Sequence, residues 1–146
     1  MSTAPRSLAS PFADFLGLVV ERWDPDEVRV CLPHRAEMRN VAGAVSGGAI
    51  ATLIDIAGGM VGCHAADHDA RPSVVTLNLN ISFVGPARDG PIFADGRRRG
   101  GGASIYTATV DVTDADGRLV ATGQGTFKAS RAAAIAADPH TRPASA

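Results

Sequence analysis

One carboxylate stands inside the most apolar stretch of this chain of 146 residues. Asp55 lies in the run from Ala49 to Val61, whose length predicts a helix rather than a strand. Aspartate is a poor helix former and is almost never fully buried without a partner. A poorly hydrated carboxylate is suited to act as a nucleophile or a general base. The alternative is a structural Asp55 whose partner is Thr52 or a donor from a second chain.

Two glycines, Gly47 and Gly48, stand where this helix begins. The first N–H groups of a helix have no intrahelical partner, and glycine lets a ligand approach them closely. The helix dipole also favours negative charge there. These amides could therefore form an oxyanion hole for a carbonyl group. Close packing of the helix against a sheet would explain the same glycines.

The spacing of Gly48 and Asp55 predicts a site shared between two chains. They are seven positions apart, so they lie on one helix face, separated by roughly 10 Å along the axis. A reacting carbonyl needs its oxyanion donor and its nucleophile or base each at roughly 3 Å. One helix does not easily provide both, whereas two antiparallel copies related by a two-fold axis would. We therefore hypothesise a composite site in a homodimer.

Composition narrows the class of protein. Hydrophobic residues make up 45% and charged residues 20%, as in a single globular domain. The net charge of −1 argues against a general nucleic-acid binder. Cys31 and Cys63 fit no metal or disulfide pattern, and the four histidines lack metal-ligand spacing. Neither a signal peptide nor a membrane-spanning run is evident. We expect a cytoplasmic protein with no membrane or nucleic-acid partner and no metal.

The remaining elements predict an α+β fold with an antiparallel sheet of about five to six strands. The central helix is predicted from Ser46 to Ala66. One strand, 74–84, alternates so that Val75, Leu77, Leu79, Ile81 and Phe83 share a face. Because the helix is apolar on all sides, the sheet must wrap around it, with a partner chain completing the cover. The other predicted segments are a short helix at 11–17, strands at 18–23, 28–32, 92–99, 103–113 and 118–128, a domain spanning 10–129, a flexible lead-in at 1–9 and a partly ordered tail at 130–146.

The sequence resembles the hotdog-fold thioesterases of the phenylacetate-pathway (PaaI-like) type, in the 4-hydroxybenzoyl-CoA thioesterase superfamily. That family places Asn or Gln six residues before His-Gly-Gly, and an acidic residue nine positions after the His. Here Asn40, Ser46-Gly47-Gly48 and Asp55 keep both spacings, and Phe83 to Ala87 and Asp116 to Ala121 match later strands. Ser46 replaces the usual His, and serine is a good helix N-cap. We expect the replacement of His by Ser46 to change how the substrate is oriented near the thioester, and hence the rate and specificity.

The resemblance implies hydrolysis of an acyl-CoA or aroyl-CoA thioester to a free acid and CoA. Asp55 would act directly on the thioester or through water, and the Gly47 and Gly48 amides would bind the oxyanion. Asn40 would orient the thioester or the water, although Asn also favours turns. No cofactor is implied beyond the CoA moiety of the substrate itself. The assembly would be a homodimer at minimum and a homotetramer by family resemblance.

Further substrate contacts are expected in two places. Thr76 occupies a position where the family often has Ser or Thr beside the acyl pocket, and Gly58, Gly59 and Met60 could shape that pocket. By resemblance, Arg97, Arg98 and Arg99 would meet the phosphates of CoA, for which the arginine fork is suited. Ordinary strand, packing and surface roles explain the same residues equally simply.

Two other functions remain open on the same fold. A non-catalytic acyl-CoA binding or regulatory module is favoured by Ser46 and disfavoured by the retained Asp55. A hotdog hydratase would need an Asp–His pair, but His64 follows Asp55 on the opposite side of the helix. We therefore rank the hydratase last.

Overall fold

The computed structural model describes residues 10–65 and 71–130, which form six strands and two α-helices. The predicted lead-in at 1–9 and the tail beyond Ser130 lie outside the described residues. Ser130 itself belongs to the last strand, where it pairs with Ser73. The elements are α1 (Pro11–Leu16), β1 (Val19–Trp23), β2 (Glu27–Leu32), a 3₁₀ turn (Ala36–Met38), α2 (Gly47–Met60), β3 (Ser73–Phe83), β4 (Ile92–Gly101), β5 (Ile105–Thr113) and β6 (Leu119–Ser130).

The six strands form one antiparallel sheet in the order β1-β2-β4-β5-β6-β3. β1 and β3 are therefore the two edge strands. The hairpin between β5 and β6 turns at Gly117, whose φ of 80° favours glycine, and Asp114 Oδ1 accepts hydrogen bonds from the amides of Asp116 and Arg118. The predicted α+β architecture and the count of six strands are confirmed.

The sheet curls around α2, as the hotdog resemblance predicts. Leu53, Ile54 and Ala57 on the helix are fully buried against the inner face of the sheet. The opposite side of α2 remains partly exposed along the row Gly48, Thr52, Asp55 and Gly59. This row is the helix face on which the sequence places the chemistry. Among the described residues, no helix is long and apolar enough to cross a membrane.

The central helix ends earlier than its sequence predicts, at Met60 rather than Ala66, which lies outside the described residues. The carbonyl of Gly59 accepts a hydrogen bond from the Tyr106 hydroxyl at 2.5 Å, and that of Met60 accepts one from the Trp23 indole at 3.0 Å. Side chains from the sheet thus satisfy carbonyls that the helix end leaves free. The prediction was wrong because donors from distant elements end the helix before its apolar pattern does.

A β-bulge changes which side chains of β3 face the helix. The pairing of β3 with β6 shifts register between Thr76 and Asn78. Val75 and Leu77 are each 53% exposed, whereas Leu79 and Ile81 pack against the core. The predicted single apolar face is therefore wrong in its first half, because the extra residue of a bulge reverses the alternation. As a result, Thr76 points towards α2.

Two neighbouring glycines in α2, Gly58 and Gly59, differ in the space around them. We therefore predict different effects on the free energy of unfolding when each is replaced by alanine. A Cβ atom on Gly58 would lie 2.6 Å from the buried ring of Phe127, whereas one on Gly59 would make an ordinary contact of 3.5 Å with Val74. We expect Gly58→Ala to lose about 1–3 kcal/mol of unfolding free energy through overpacking, less a helix-propensity gain of about 1 kcal/mol. Gly59→Ala should be neutral or stabilising. Urea unfolding of both variants measures the difference, and a Gly58→Ala protein as stable as Gly59→Ala would contradict this packing.

Candidate active site

Asp55 is held by a hydrogen bond from the edge strand. The Thr76 hydroxyl donates to Asp55 Oδ1 at 2.6 Å, which joins the middle of α2 to β3. Asp55 is partly exposed, and no other hydrogen bond to its carboxylate is found within the described part of the chain. One carboxylate oxygen is thus fixed in place while the other is available to a ligand. Thr76, expected from the family resemblance beside the acyl pocket, lies next to this carboxylate.

A cavity of about 470 Å³ opens beside Asp55 and Thr76, and we call it the Asp55 cavity. Its walls come from the exposed side of α2, the start of β3 and the end of β1. They combine apolar side chains with several polar ones, as expected of a pocket that packs against a hydrocarbon group and fixes its orientation by polar contacts. The described lining residues are Ser10, Trp23, Asp55, Ile56, Gly59, Met60, Cys63, Arg71, Pro72, Ser73, Val74 and Thr76.

The glycines predicted to shape an acyl pocket divide into two roles. Gly59 and Met60 line the Asp55 cavity, and an added methyl group at Gly59 would occupy space beside Val74. Gly58 does not line it and is instead buried against Phe127. The close approach of the Phe127 ring, rather than the cavity, therefore accounts for the glycine at position 58.

The start of α2 opens into a different hollow. Ser46, Gly48 and Thr52 line a groove of about 610 Å³, together with the exposed rings of Phe12 and Phe15 from α1, and we call it the Ser46 groove. Ser46 occupies the N-cap position, but its side chain makes no capping hydrogen bond. The first-turn amides are therefore not occupied by this serine. Within one chain, Asp55 and Gly48 face separate hollows, as the spacing along the helix requires.

Asn40 lies in the exposed loop before α2. Its side-chain Oδ1 accepts hydrogen bonds from the amides of Ala42 and Ala44, at 2.9 and 3.1 Å. This arrangement stabilises the turn through Gly43, whose φ is 76°. The oxygen of the Asn40 amide thus has a structural role, and its Nδ2 group is the part suited to contact a ligand.

The three consecutive arginines lie on β4, and none of them lines either hollow. Arg97 is 3.7 Å from Glu27 in a surface ion pair. Arg98 donates to the carbonyl of Gly102, and Arg99 donates to the Thr109 hydroxyl, each at 2.7 Å. The structure does not bring them together with Asp55.

Eight of the twelve described lining residues of the Asp55 cavity did not emerge from the sequence as site residues, and three of the eight carry groups that could bind or react with a ligand. Trp23 ends β1, Cys63 follows α2, and Arg71 precedes β3. His64 lies edge-on against the Trp23 ring, with centroids 5.9 Å apart. No local pattern could identify these residues because only the fold brings them together. Within the described residues, no cluster of three or more His, Cys, Asp and Glu side chains could hold a metal ion.

Comparisons with known proteins agree with this geometry. A family model described as the thioesterase superfamily matches residues 42–121, which include α2, β3 and Asp55. The chain belongs to the thioesterase superfamily. It is accordingly an enzyme, a thioester hydrolase.

Individual relatives of this superfamily member cover most of the chain. A Halobacterium salinarum protein, provisionally named an esterase, is 35% identical over 126 residues, covering 80% of this chain and 83% of its own. A solved structure of a provisionally named esterase from Mycobacterium tuberculosis is 28% identical, with a TM-score of 0.75, covering 84% and 98% of the two chains. The PaaI protein of the E. coli phenylacetic acid degradation operon is 20% identical and shares the fold, with a TM-score of 0.74. The match covers 84% of this chain and 86% of the PaaI chain. The predicted hotdog fold is thereby confirmed.

Cys63 is a nucleophile that the cavity keeps inactive. Burial raises the pKa of its thiol to about 11, although the charge of Arg71 acts in the opposite direction. The thiolate is the reactive form of cysteine, and at pH 8 it amounts to about one part in a thousand of a thiol with this pKa. Cys63 is therefore not suited to attack a thioester near neutral pH.

We expect iodoacetamide to label Cys63 slowly in the native protein at neutral pH. The labelling rate should rise about tenfold per pH unit towards pH 11, because the fraction of thiolate rises about tenfold per unit. Mass spectrometry of the Cys63 peptide measures the rate, with the urea-unfolded chain as control. Cys63→Ala should retain thioester hydrolysis. Rapid native labelling at pH 7, or loss of hydrolysis in Cys63→Ala, would contradict this assignment.

Proposed function

We propose that the protein hydrolyses an acyl-CoA or aroyl-CoA thioester to a free acid and CoA, with Asp55 as nucleophile or general base. The observation that carries this proposal is the Asp55 carboxylate, which is anchored by Thr76 and lines a cavity with apolar walls from Ile56, Met60 and Val74. The cavity would receive the acyl group. Because the carboxylate is already held in one orientation, less conformational entropy is lost on reaching the transition state, and the activation barrier is lower.

Asp55 can act in either of two ways. As a nucleophile, its free oxygen attacks the thioester carbonyl, the C–S bond breaks, and CoA leaves as a thiolate that takes up a proton. Water then hydrolyses the mixed anhydride to the free acid. As a general base, Asp55 removes a proton from a water molecule that attacks the carbonyl. The C–S bond then breaks, and CoA leaves as a thiolate that takes up the proton held by Asp55. Neither route calls for a metal or redox cofactor.

The Gly47 and Gly48 amides are proposed to bind the oxyanion. They lie in the first turn of α2, where the N–H groups have no intrahelical partner and the helix dipole favours negative charge. The missing capping bond from Ser46 supports this role, because the serine does not compete for these donors. Ser46 and the Nδ2 group of Asn40 are proposed to orient the thioester or the water.

Two copies of the chain are proposed to complete each site through β3. This edge strand runs antiparallel beside α2: Thr76 binds Asp55, while the Phe83 ring lies 3.5 Å from where a Cβ of Gly47 would be. If β3 pairs antiparallel with its copy so that Thr76 faces Phe83, Asp55 of one chain comes beside Gly47 of the other. The exposed Val75 and Leu77 and the unpaired edge support such pairing.

The remaining parts of the proposal concern the CoA phosphates, the assembly and the location of the protein. Arg97, Arg98 and Arg99 would contact CoA phosphates, since a surface pair such as Arg97–Glu27 contributes little and is readily exchanged. A homotetramer would require a second interface between dimers. The two free cysteines fit a reducing, cytoplasmic location.

Release of free thiol from a panel of CoA thioesters tests this proposal. We expect Asp55→Ala to lower kcat by about 10²–10⁴-fold, because the reaction loses its nucleophile or base, while the dimer persists in sedimentation. Arg118→Ala, a change at an exposed surface arginine, serves as the control. Undiminished hydrolysis by Asp55→Ala would overturn the mechanism. A wild-type protein that binds CoA esters without hydrolysing them would instead be an acyl-CoA binding module.

A further inference from the structure

The Asp55 cavity carries a cationic side chain that hydrolysis itself does not use. Arg71 lines the cavity, and its guanidinium carbon lies 4.3 Å from the centre of the Trp23 ring. Among the described lining residues, Asp55 and Arg71 are the two that carry charge. Arg71 Nε is buried and has no hydrogen-bond partner within the described residues. Arg71 is half-buried, and taking its Nε out of water without a hydrogen-bond partner is costly, so this position needs a reason.

The Trp23 ring holds Arg71 in a defined place. Its indole N–H donates to the carbonyl of Met60 at 3.0 Å, which fixes the ring at the C-terminal end of α2. A guanidinium stacked on an aromatic ring gains a cation–π interaction through its face. Its N–H donors point outward in the guanidinium plane, where they can still bind a ligand. Arg71 is therefore pre-organised to bind a planar anion such as a carboxylate.

The distance between the two charged residues limits the size of the ligand. Met60, whose carbonyl binds the Trp23 indole, is the last residue of α2 and follows Asp55 by five positions, roughly 8 Å along the helix axis. The stacking of Arg71 on Trp23 adds at most 4.3 Å, which gives a span of roughly 8–12 Å. A reacting carbonyl lies about 3 Å from the Asp55 carboxylate, and a hydrogen-bonded anion about 3 Å from the guanidinium. The remaining length corresponds to a chain of about two to five carbon atoms. Gly59, which has no side chain, leaves room for it between the two ends.

Resting on the proposed function, we propose that Arg71 is a specificity-determining residue that binds the far end of the acyl group, and that the preferred substrates are CoA thioesters of short dicarboxylic acids. The thioester carbonyl lies at Asp55 and the free carboxylate at Arg71. The apolar walls from Ile56, Met60 and Val74 pack against the methylene groups between them. Neutral acyl groups of the same length would leave the guanidinium without an anion.

Matched pairs of substrates test this specificity. Hydrolysis of glutaryl-CoA and adipyl-CoA is compared with that of pentanoyl-CoA and hexanoyl-CoA, which have the same chain lengths without the charge, and enzyme-free blanks correct for spontaneous breakdown. The proteins are the wild type, Arg71→Met, Arg71→Lys and the surface control Arg118→Met. Thermal unfolding of each variant checks that the fold is retained.

We expect the wild type to prefer the charged esters and Arg71→Met to lower their kcat/KM by about ten- to hundredfold, mainly through KM, as for loss of a hydrogen bond between charged groups. Hydrolysis of the neutral esters should change less than about threefold, and Arg71→Lys should restore part of the preference. Equal loss on both members of a pair would show a structural role and overturn the specificity. An unchanged preference in Arg71→Met would also overturn it.

Binding separates this inference from the proposed function. If the wild type hydrolyses neither these four esters nor any other acyl-CoA or aroyl-CoA thioester of the panel, the proposed function fails. Calorimetric titration of Asp55→Asn with adipyl-CoA and hexanoyl-CoA still decides the role of Arg71. Tighter binding of adipyl-CoA that disappears in Asp55→Asn/Arg71→Met supports the inference, and equal binding of the two esters overturns it.

Discussion

The hydrogen bond from Thr76 to Asp55 joins the central helix to the edge of the sheet, and the candidate site depends on it. It fixes one carboxylate oxygen and orders the start of β3 along the exposed side of α2. It exists because the bulge after Thr76 turns that side chain inward. Without the bulge, regular alternation would direct either Val75 or Leu77 towards the helix at this level, and Asp55 would lose its donor.

The geometry of one helix imposes a second constraint. Asp55 and Gly48 share a face but line separate hollows, so in the proposed mechanism a single chain provides only half of each site. The proposed pairing of β3 with its copy follows from contacts within one chain, since Thr76 accompanies Asp55 and Phe83 accompanies Gly47. The edge strand that would otherwise invite aggregation then becomes the element that assembles the site.

The sequence predicted the parts of this fold that local patterns determine. Strand composition and the Asp114–Gly117 turn identified the six strands, and the apolar run identified α2, because propensity and turn chemistry act over a few residues. The end of α2 and the bulge in β3 were mispredicted, since both depend on contacts across the fold. Asp55 was singled out by its type and its spacing from the glycines, and Thr76 by the family resemblance, and the structure joins the two by a hydrogen bond. Arg71 and Trp23 were not, because they meet only in three dimensions.

The most direct test of a shared site is complementation between two inactive chains. Asp55→Ala removes the carboxylate, and Gly48→Pro removes one first-turn N–H at a position where helices tolerate proline. A dimer of one chain of each kind would contain one site with both lesions and one site with neither. Co-expression with separate affinity tags isolates the mixed dimer for measurement of thiol release. We predict roughly half of the wild-type activity from the single intact site in such a two-fold dimer. A mixed dimer no more active than its two parents would contradict the shared site.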